Sequence, residues 1–257
     1  MRLVMALTGR ARGEVLAGVE LNAEQGTRLE ELVARRLAGE PLQYLEGTVQ
    51  FGPIELATDP RALIPRPETE QLWGQAVAAL GTGGPGTVIV DLGTGSGALA
   101  LALKHRFPRA RVIGTDISEE ALELASENAR RLALDVELRP GDLFEALPGE
   151  VQGRVDLLVA NPPYVAEAAW DALPVDVRHE PLRALVAGPT GTEAVDRIAD
   201  GAYWWLAVGG WLLCEIGEGQ GRHALEVFGA WFDTDLRQDL TGRDRILVAR
   251  KGARCCG

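Results

Sequence analysis

The chain has 257 residues, with 26 Lys and Arg against 37 Asp and Glu and a formal net charge of −11. That length admits one large α/β domain or a domain with a small appendage, and that charge makes duplex DNA or another extended polyanion a poor partner. Cys214, Cys255 and Cys256 have no CxxC spacing and suit neither a disulfide framework nor a zinc site; with no secretory pattern and no run of roughly 18 apolar residues, a cytoplasmic chain without membrane contact is expected.

Residues 1–45 carry only helical patterns. In AEQGTRLEELVARRLAG, residues 23–39, Leu29, Leu32, Val33 and Leu37 fall on one stripe and Gly39 follows it. This predicts a small N-terminal helical domain. Over residues 46–70 the pattern changes to alternation punctuated by Gly and Pro, as in a hairpin and an extended connector. From 71 to 257 strand and helix patterns alternate. Strands are predicted at 87–92, 110–116, 136–139, 155–160, 209–216 and 245–250, and helices at about 68–80, 96–106, 118–133, 192–207 and 220–230. Ser118 and Thr192 read as N-caps. Buried β-branched runs separated by helices indicate a parallel, doubly wound, Rossmann-like α/β sheet. The Trp pair in YWWLAVGGW reads as core, and His105, His179 and His223 have no metal-like spacing.

The first functional signal is VIVDLGTGSGALALAL, a strand, a glycine turn and an apolar helix. Gly93, Gly95 and Gly97 allow the backbone to turn sharply and approach a ligand, while the helix that follows offers free N–H groups. Asp116 ends the next strand, where a doubly wound fold places the carboxylate that binds a ribose diol. Gly93-x-Gly95-x-x-Ala98 also satisfies a nicotinamide fingerprint. Asp91 decides between the two ligands, because a carboxylate at the start of the loop suits a cationic methionine moiety and not a pyrophosphate. S-adenosylmethionine is therefore expected over NAD. In PGDLFEAL, Asp142 suits an adenine amino group, and Leu143 and Phe144 suit the ring; a turn Asp followed by core residues reads the same way.

The second signal is VDLLVANPPYVAEAAW, where Asn161-Pro162-Pro163-Tyr164 follows a buried strand. Two prolines end the strand and make a rigid loop that should face the glycine turn. A planar NH2 group is a poor nucleophile, which must be oriented and must lose a proton. The Asn161 side-chain oxygen and the Pro162 carbonyl can accept its two N–H donors, and Tyr164 can stack on the flat group. Catalysis of this kind works by positioning and electrostatics, without a covalent intermediate. A plain Asn-Pro-Pro turn with a core tyrosine is the competing structural reading.

These residues resemble the HemK/PrmC protein-(glutamine-N5) methyltransferases, from about Arg28 to Arg250, through LAGEPLQYLEG, LIPRPETE, DLGTGSGALALAL, GTDIS, GDLF, NPPY, EPLRAL, GPTGTEAVDRI, EIGEGQG and GRDRILVAR. The resemblance implies a class I methyltransferase sheet. It implies that Asp91, Gly93, Thr94, Gly95, Ser96, Gly97 and Asp116 bind S-adenosylmethionine, with Asp142 and Leu143 by the adenine. It further implies that Asn161, Pro162, Pro163 and Tyr164 hold the glutamine of the Gly-Gly-Gln motif of class 1 peptide chain release factors, with S-adenosylhomocysteine as the second product. Asn161, lying between the two ligands, also counts among the cofactor contacts, and Asn161, Pro162 and Tyr164 form the catalytic set. Family members commonly carry an aromatic where Leu143 stands. IPRPETE resembles the connector at the active-site mouth, where Arg66 either acts or pairs with Glu68 or Glu70. The N-terminal helical, partner-docking domain reads as shorter than the family's. An adenine or cytosine amino methyltransferase acting on DNA or RNA stays open as the alternative, because a base NH2 poses the same chemical problem; the charge counts against it. A nicotinamide dehydrogenase leaves the NPPY loop unexplained, and an interaction module without activity would show a damaged one.

Overall fold

The computed structural model describes residues 1–253; Cys255 and Cys256 lie outside the described residues. Four helices open the chain: α1 (Arg2–Thr8), α2 (Arg12–Ala17), α3 (Ala23–Leu37) and α4 (Leu42–Glu46). Asn22 caps α3 by accepting from Gln25 N at 2.8 Å, and Gln25 Oε1 accepts from Asn22 N at 3.1 Å. Two otherwise unpaired backbone donors are thereby satisfied. Leu3, Leu32 and Leu45 form a small core with Leu29 and Leu42 at its margin. The predicted stripe is corrected here, because Val33 and Leu37 are exposed, at 42% and 83%. The short α1 and α4 cover one side of α3 only.

β1 (Thr48–Phe51) and β2 (Ile54–Ala57) form the expected antiparallel hairpin, and the connector leads into α5 (Pro67–Leu80). Pro67 suits the first helical position, where its missing N–H would be unpaired in any case. The buried Tyr44 hydroxyl donates to the Ala62 carbonyl at 2.7 Å, tying α4 to this connector.

The remaining elements are β3 (Val88–Leu92), α6 (Ala98–Arg106), β4 (Arg111–Asp116), α7 (Glu119–Leu132), β5 (Glu137–Pro140), β6 (Val155–Ala160), β7 (Val165–Ala166), α8 (Leu182–Leu185), β8 (Val186–Gly188), α9 (Glu193–Trp205), β9 (Leu206–Glu215), α10 (Gly221–Gly229), β10 (Asp233–Gln238) and β11 (Asp244–Arg250). The large sheet has the order β10-β11-β9-β6-β3-β4-β5. From β5 to β9 all neighbours are parallel. β11 runs antiparallel to both β9 and β10, an antiparallel edge added to the parallel, doubly wound sheet expected from the sequence. Residues 239–243 are too short a link for the crossover that a parallel pair needs. The sequence pattern also omits β10, because DTDLRQ is a polar edge strand with exposed and half-buried residues in alternation.

Both faces of the sheet are covered. Val90, Leu92, Leu158 and Leu212 pack towards α9 and α10, and Ile89, Leu157 and Leu213 towards α5 and α6. Successive strand residues point to opposite faces, so two-sided burial demands the near-continuous apolar runs of β3 and β6, broken only by Asp91 and Asp156. The Trp pair is split: Trp205 stacks on Phe144 with centroids 6.2 Å apart, while Trp204 is 63% exposed. Ser118 caps α7 as expected, accepting from Ala121 N at 3.3 Å. Thr192 stands at the N-cap of α9 but makes no side-chain capping bond; Glu193 instead accepts from the backbone N–H groups of Thr190 and Gly191 in the turn before the helix.

Candidate active site

β3 and β6 lie side by side in parallel, with Leu92 opposite Ala160. Both strands therefore release their loops at the same edge, and Asn161 emerges beside the glycine turn, the crevice in which such sheets bind ligands. A cavity of about 350 Å³ lies at that edge, lined by Asp91, Gly93, Thr94, Gly95, Ser96, Asp116, Asp142, Leu143, Asn161 and Pro163 among others. Gly93 and Gly95 have φ of +71° and +56°, and nothing lies within 4 Å of the place a Cβ would take. Their bare backbone faces open space in a conformation that other residues rarely adopt. Gly97 stands behind this wall as the N-cap of α6, where a Cβ would meet Leu101 at 2.9 Å.

Asp91 is buried, and its Oδ2 accepts from Thr94 Oγ1 at 2.6 Å and Ala100 N at 3.1 Å. Its buried Oδ1 has no hydrogen-bond partner. Burial pushes this carboxyl up from 3.8 to about 7, against the pull of those two donors. An orphaned buried carboxylate oxygen on a cavity wall fits a cationic ligand group. Asp116 accepts from Gly95 N and Ser118 N, each at 2.8 Å. Burial also raises its pKa, opposed by those backbone donors and by Arg183. Each of its oxygens accepts one backbone bond and retains acceptor capacity towards a diol. Asp142 pairs with Arg197 at 2.8 Å. Leu143 lines the cavity, whereas Phe144 turns away onto Trp205. The expected apolar contact from Phe144 is therefore corrected to Leu143 alone.

A second cavity, of about 310 Å³, is walled by Pro162, Tyr164, Arg66, Glu68 and Arg245 among others, and shares Leu63, Asn161 and Ala184 with the first. Asn161 thus borders both spaces. Its Nδ2 donates to Thr69 Oγ1 at 3.0 Å, and the Thr69 hydroxyl donates to Glu215 Oε2 at 2.8 Å. Tyr164 donates from its hydroxyl towards Glu215 Oε1 at 3.4 Å, and burial pushes its pKa up to about 12. Gln220 Nε2 donates to the Tyr164 and Gly191 carbonyls at 3.1 and 2.9 Å, while its Oε1 accepts from Gly217 N. The NPPY loop is held at its side chains and at its backbone. Arg66 pairs with the buried Glu180, not with Glu68 or Glu70. The other Glu180 oxygen accepts from Ile64 N at 2.9 Å. Among the described residues no group of three or more His, Cys, Asp or Glu side chains is placed to hold a metal ion.

The pattern described as PrmC N-terminal domain matches residues 1–47, and the Methyltransferase small domain pattern matches residues 77–178. The release factor glutamine methyltransferase of Koribacter versatilis is 40% identical over 234 residues, which cover 90% of this chain and 82% of that protein. The chain belongs to the release factor glutamine methyltransferase family. The Escherichia coli release factor glutamine methyltransferase is 37% identical over 253 residues, 96% of this chain and 90% of that protein. A methyltransferase from Pyrococcus furiosus shares the fold, with a TM-score of 0.58 at 18% identity over 90% of this chain and 100% of that one.

Four residues around the site of this release factor glutamine methyltransferase relative escape a residue-by-residue reading of its sequence. Thr69, Glu180, Glu215 and Gln220 all lie in motifs that carry the family resemblance, LIPRPETE, EPLRAL and EIGEGQG. A Thr in the first turn of a helix or a Glu at a strand end has an ordinary structural explanation. What sets them apart is that each reaches a partner distant in sequence.

Proposed function

We propose that the chain transfers a methyl group to the side-chain amide nitrogen of a release factor glutamine, and that the glutamine is the one in the Gly-Gly-Gln motif of class 1 factors. Family membership supports the activity and the protein class of the substrate. The observation that carries the chemistry is the position of Asn161 on the wall shared by two cavities, where one side chain can touch donor and acceptor at once.

The residues of the first cavity fit S-adenosylmethionine. The orphaned Oδ1 of Asp91 would meet its cationic methionine portion, the Gly93–Gly95 backbone would allow close approach, Asp116 would take the ribose hydroxyls, and Asp142 and Leu143 would take the adenine. When bound, this donor supplies a sulfonium methyl group and leaves as S-adenosylhomocysteine. The substrate glutamine belongs in the second cavity. With its Nδ2 committed to Thr69, Asn161 has Oδ1 available to accept one amide N–H, and the Pro162 carbonyl accepts the other. Holding both hydrogens in the amide plane would leave the nitrogen lone pair perpendicular to that plane, facing the side on which the donor's methyl group would be presented. The surplus proton leaves along one of the two acceptor contacts to water. Tyr164 supplies a flat wall and shields the amide from solvent. The rate gain arises from orientation and fixed dipoles.

Asn161→Ala should lower donor affinity by several-fold at most, since it is one of many contacts in that cavity, while kcat falls roughly 100-fold or more, the scale for losing one preorganised polar contact. Calorimetry and single-turnover methylation measure the two quantities. Full turnover in the variant would remove Asn161 from the acceptor role.

A further inference from the structure

Asn161 can receive a substrate N–H only if its carboxamide presents oxygen to the substrate cavity. Nothing in the amide itself enforces that choice, since its two ends differ little in shape and invert by a half-turn of the terminal torsion. The surroundings enforce it. An ionised carboxylate has no proton to give, so the Thr69 hydroxyl, 2.8 Å from Glu215 Oε2, must be the donor in that contact. Its oxygen then offers lone pairs to Asn161 and matches Nδ2–H at 3.0 Å. Turning the Asn161 amide over would set Oδ1 against those lone pairs and strand the N–H donors. Thr69 and Glu215 are both buried, at 3% and 1% exposure, so water does not substitute for either partner.

We propose that Glu215 and Thr69 are positioning residues for methyl transfer: the buried carboxylate sets the direction of the Thr69 hydroxyl, and the hydroxyl sets which end of the Asn161 amide faces the substrate. The proposal rests on the reading of Asn161 as the acceptor for the substrate amide. Glu215 lines neither cavity and acts through Thr69; Thr69 borders the donor cavity, and its effect on the substrate amide passes through Asn161.

The direction of the chain follows the charge on Glu215. Four groups face it: Thr69 of α5 and Tyr164 of the NPPY loop donate to it, Arg245 of β11 attracts it, and Glu68 of α5 repels it. Burial dominates and raises its pKa from 4.5 to about 7. Above that range the carboxylate orders the chain as described. Below it, a protonated Glu215 can donate to Thr69, whose hydroxyl proton is then free to point at Asn161 and favour the inverted amide. kcat should therefore climb as the pH rises through about 7 and level off above it.

The test uses the full chain with intact release factor and saturating S-adenosylmethionine, following kcat against pH, donor affinity and thermal midpoint for five proteins: wild type, Thr69→Val, Thr69→Ser, Glu215→Gln and Asn161→Ala. Thr69→Val should lose roughly tenfold or more in kcat, the equivalent of one buried hydrogen bond, with a far smaller change in donor affinity and a midpoint lowered by a few degrees for the buried partners it leaves unpaired. Thr69→Ser should recover most of that loss. Glu215→Gln should lose kcat and flatten its rise around neutral pH. A Thr69→Val kcat within twofold of wild type, or an unaltered pH profile in Glu215→Gln, overturns the proposal. So does a joint fall of kcat, donor affinity and midpoint that serine fails to rescue, since that outcome marks a purely structural tie. Asn161→Ala separates the two levels: if it turns over normally the acceptor assignment fails, and if it is crippled while Thr69→Val is not, only the proposal fails.

Discussion

Asp91 is kept in a state that costs the free protein stability. Its folded pKa lies near 7 against an ordinary 3.8, because burial penalises the charge. The folded chain therefore holds the proton more tightly than the unfolded chain, and the penalty grows as the pH climbs from about 4 to about 7 and is complete above it. Asp91→Asn keeps an oxygen for Thr94 Oγ1 and Ala100 N and removes the charge. At pH 8 the variant should melt higher than wild type by roughly 2–4 °C for each kcal/mol recovered, with little difference near pH 4, while its affinity for S-adenosylmethionine drops at least tenfold. Scanning calorimetry at the two pH values and titration with the donor check both halves. Asp91, Asp116 and Asn161 are legible in the sequence because each sits at a fixed offset from a strand end and a glycine or proline turn. Thr69 and Glu215 are not legible, because their meaning arises from a contact between residues 146 positions apart.

The connector between β2 and α5 has little regular structure and is fastened at separate points. Tyr44 holds the Ala62 carbonyl, and Glu180 holds both the Ile64 N–H and the Arg66 guanidinium. Since Leu63 walls both cavities, this fastening shapes them. Glu180→Ala would leave a buried N–H and a half-buried cation without their acceptor. It should lower unfolding free energy by about 2 kcal/mol or more in urea and raise the KM for release factor, with faster proteolysis near residues 60–66. Unchanged stability would show that the connector is held without Glu180, by apolar packing and the Tyr44 bond. The parallel half of the sheet is readable, because two-sided burial writes short β-branched apolar runs into β3, β4 and β6. The antiparallel edge is not, because β10 has only one apolar residue, Leu236, on a strand otherwise made of charged and polar side chains. The α3 stripe was overread for the opposite reason: periodicity places Leu37 on the apolar side of the helix but cannot say how far a short neighbour extends.

At the scale of the molecule, α1–α4 abut the segment that closes the second cavity. A Cβ on Gly39 would meet the Val175 side chain, and Arg36 comes within 4.0 Å of Asp176. Val33 and Leu37 are exposed on this same helical unit, so a folded partner that delivers a glutamine to the cavity has an apolar surface beside it. A free peptide carrying Gly-Gly-Gln lacks that second contact and should have a kcat/KM lower by roughly 100-fold or more than intact release factor. Leu37→Asp should raise the KM for the intact factor several-fold and leave peptide methylation and donor affinity unchanged. Equal losses on both substrates would point to damage in the site itself. Among the described residues no helix is long and apolar enough to cross a membrane, and the charge of −11 opposes a nucleic acid track.

Two cavities meeting at Asn161 serve one proposed reaction, the methylation of a release factor glutamine. Its most direct measurement is the donor-dependent mass gain of intact class 1 release factor, set beside the factor with its Gly-Gly-Gln glutamine changed to alanine, an adenine-rich DNA duplex and an RNA. One added methyl group is expected on the intact factor, located by fragmentation on that glutamine, and none on the other three. Methylation of either nucleic acid, with the release factor left unmodified, would contradict that proposal.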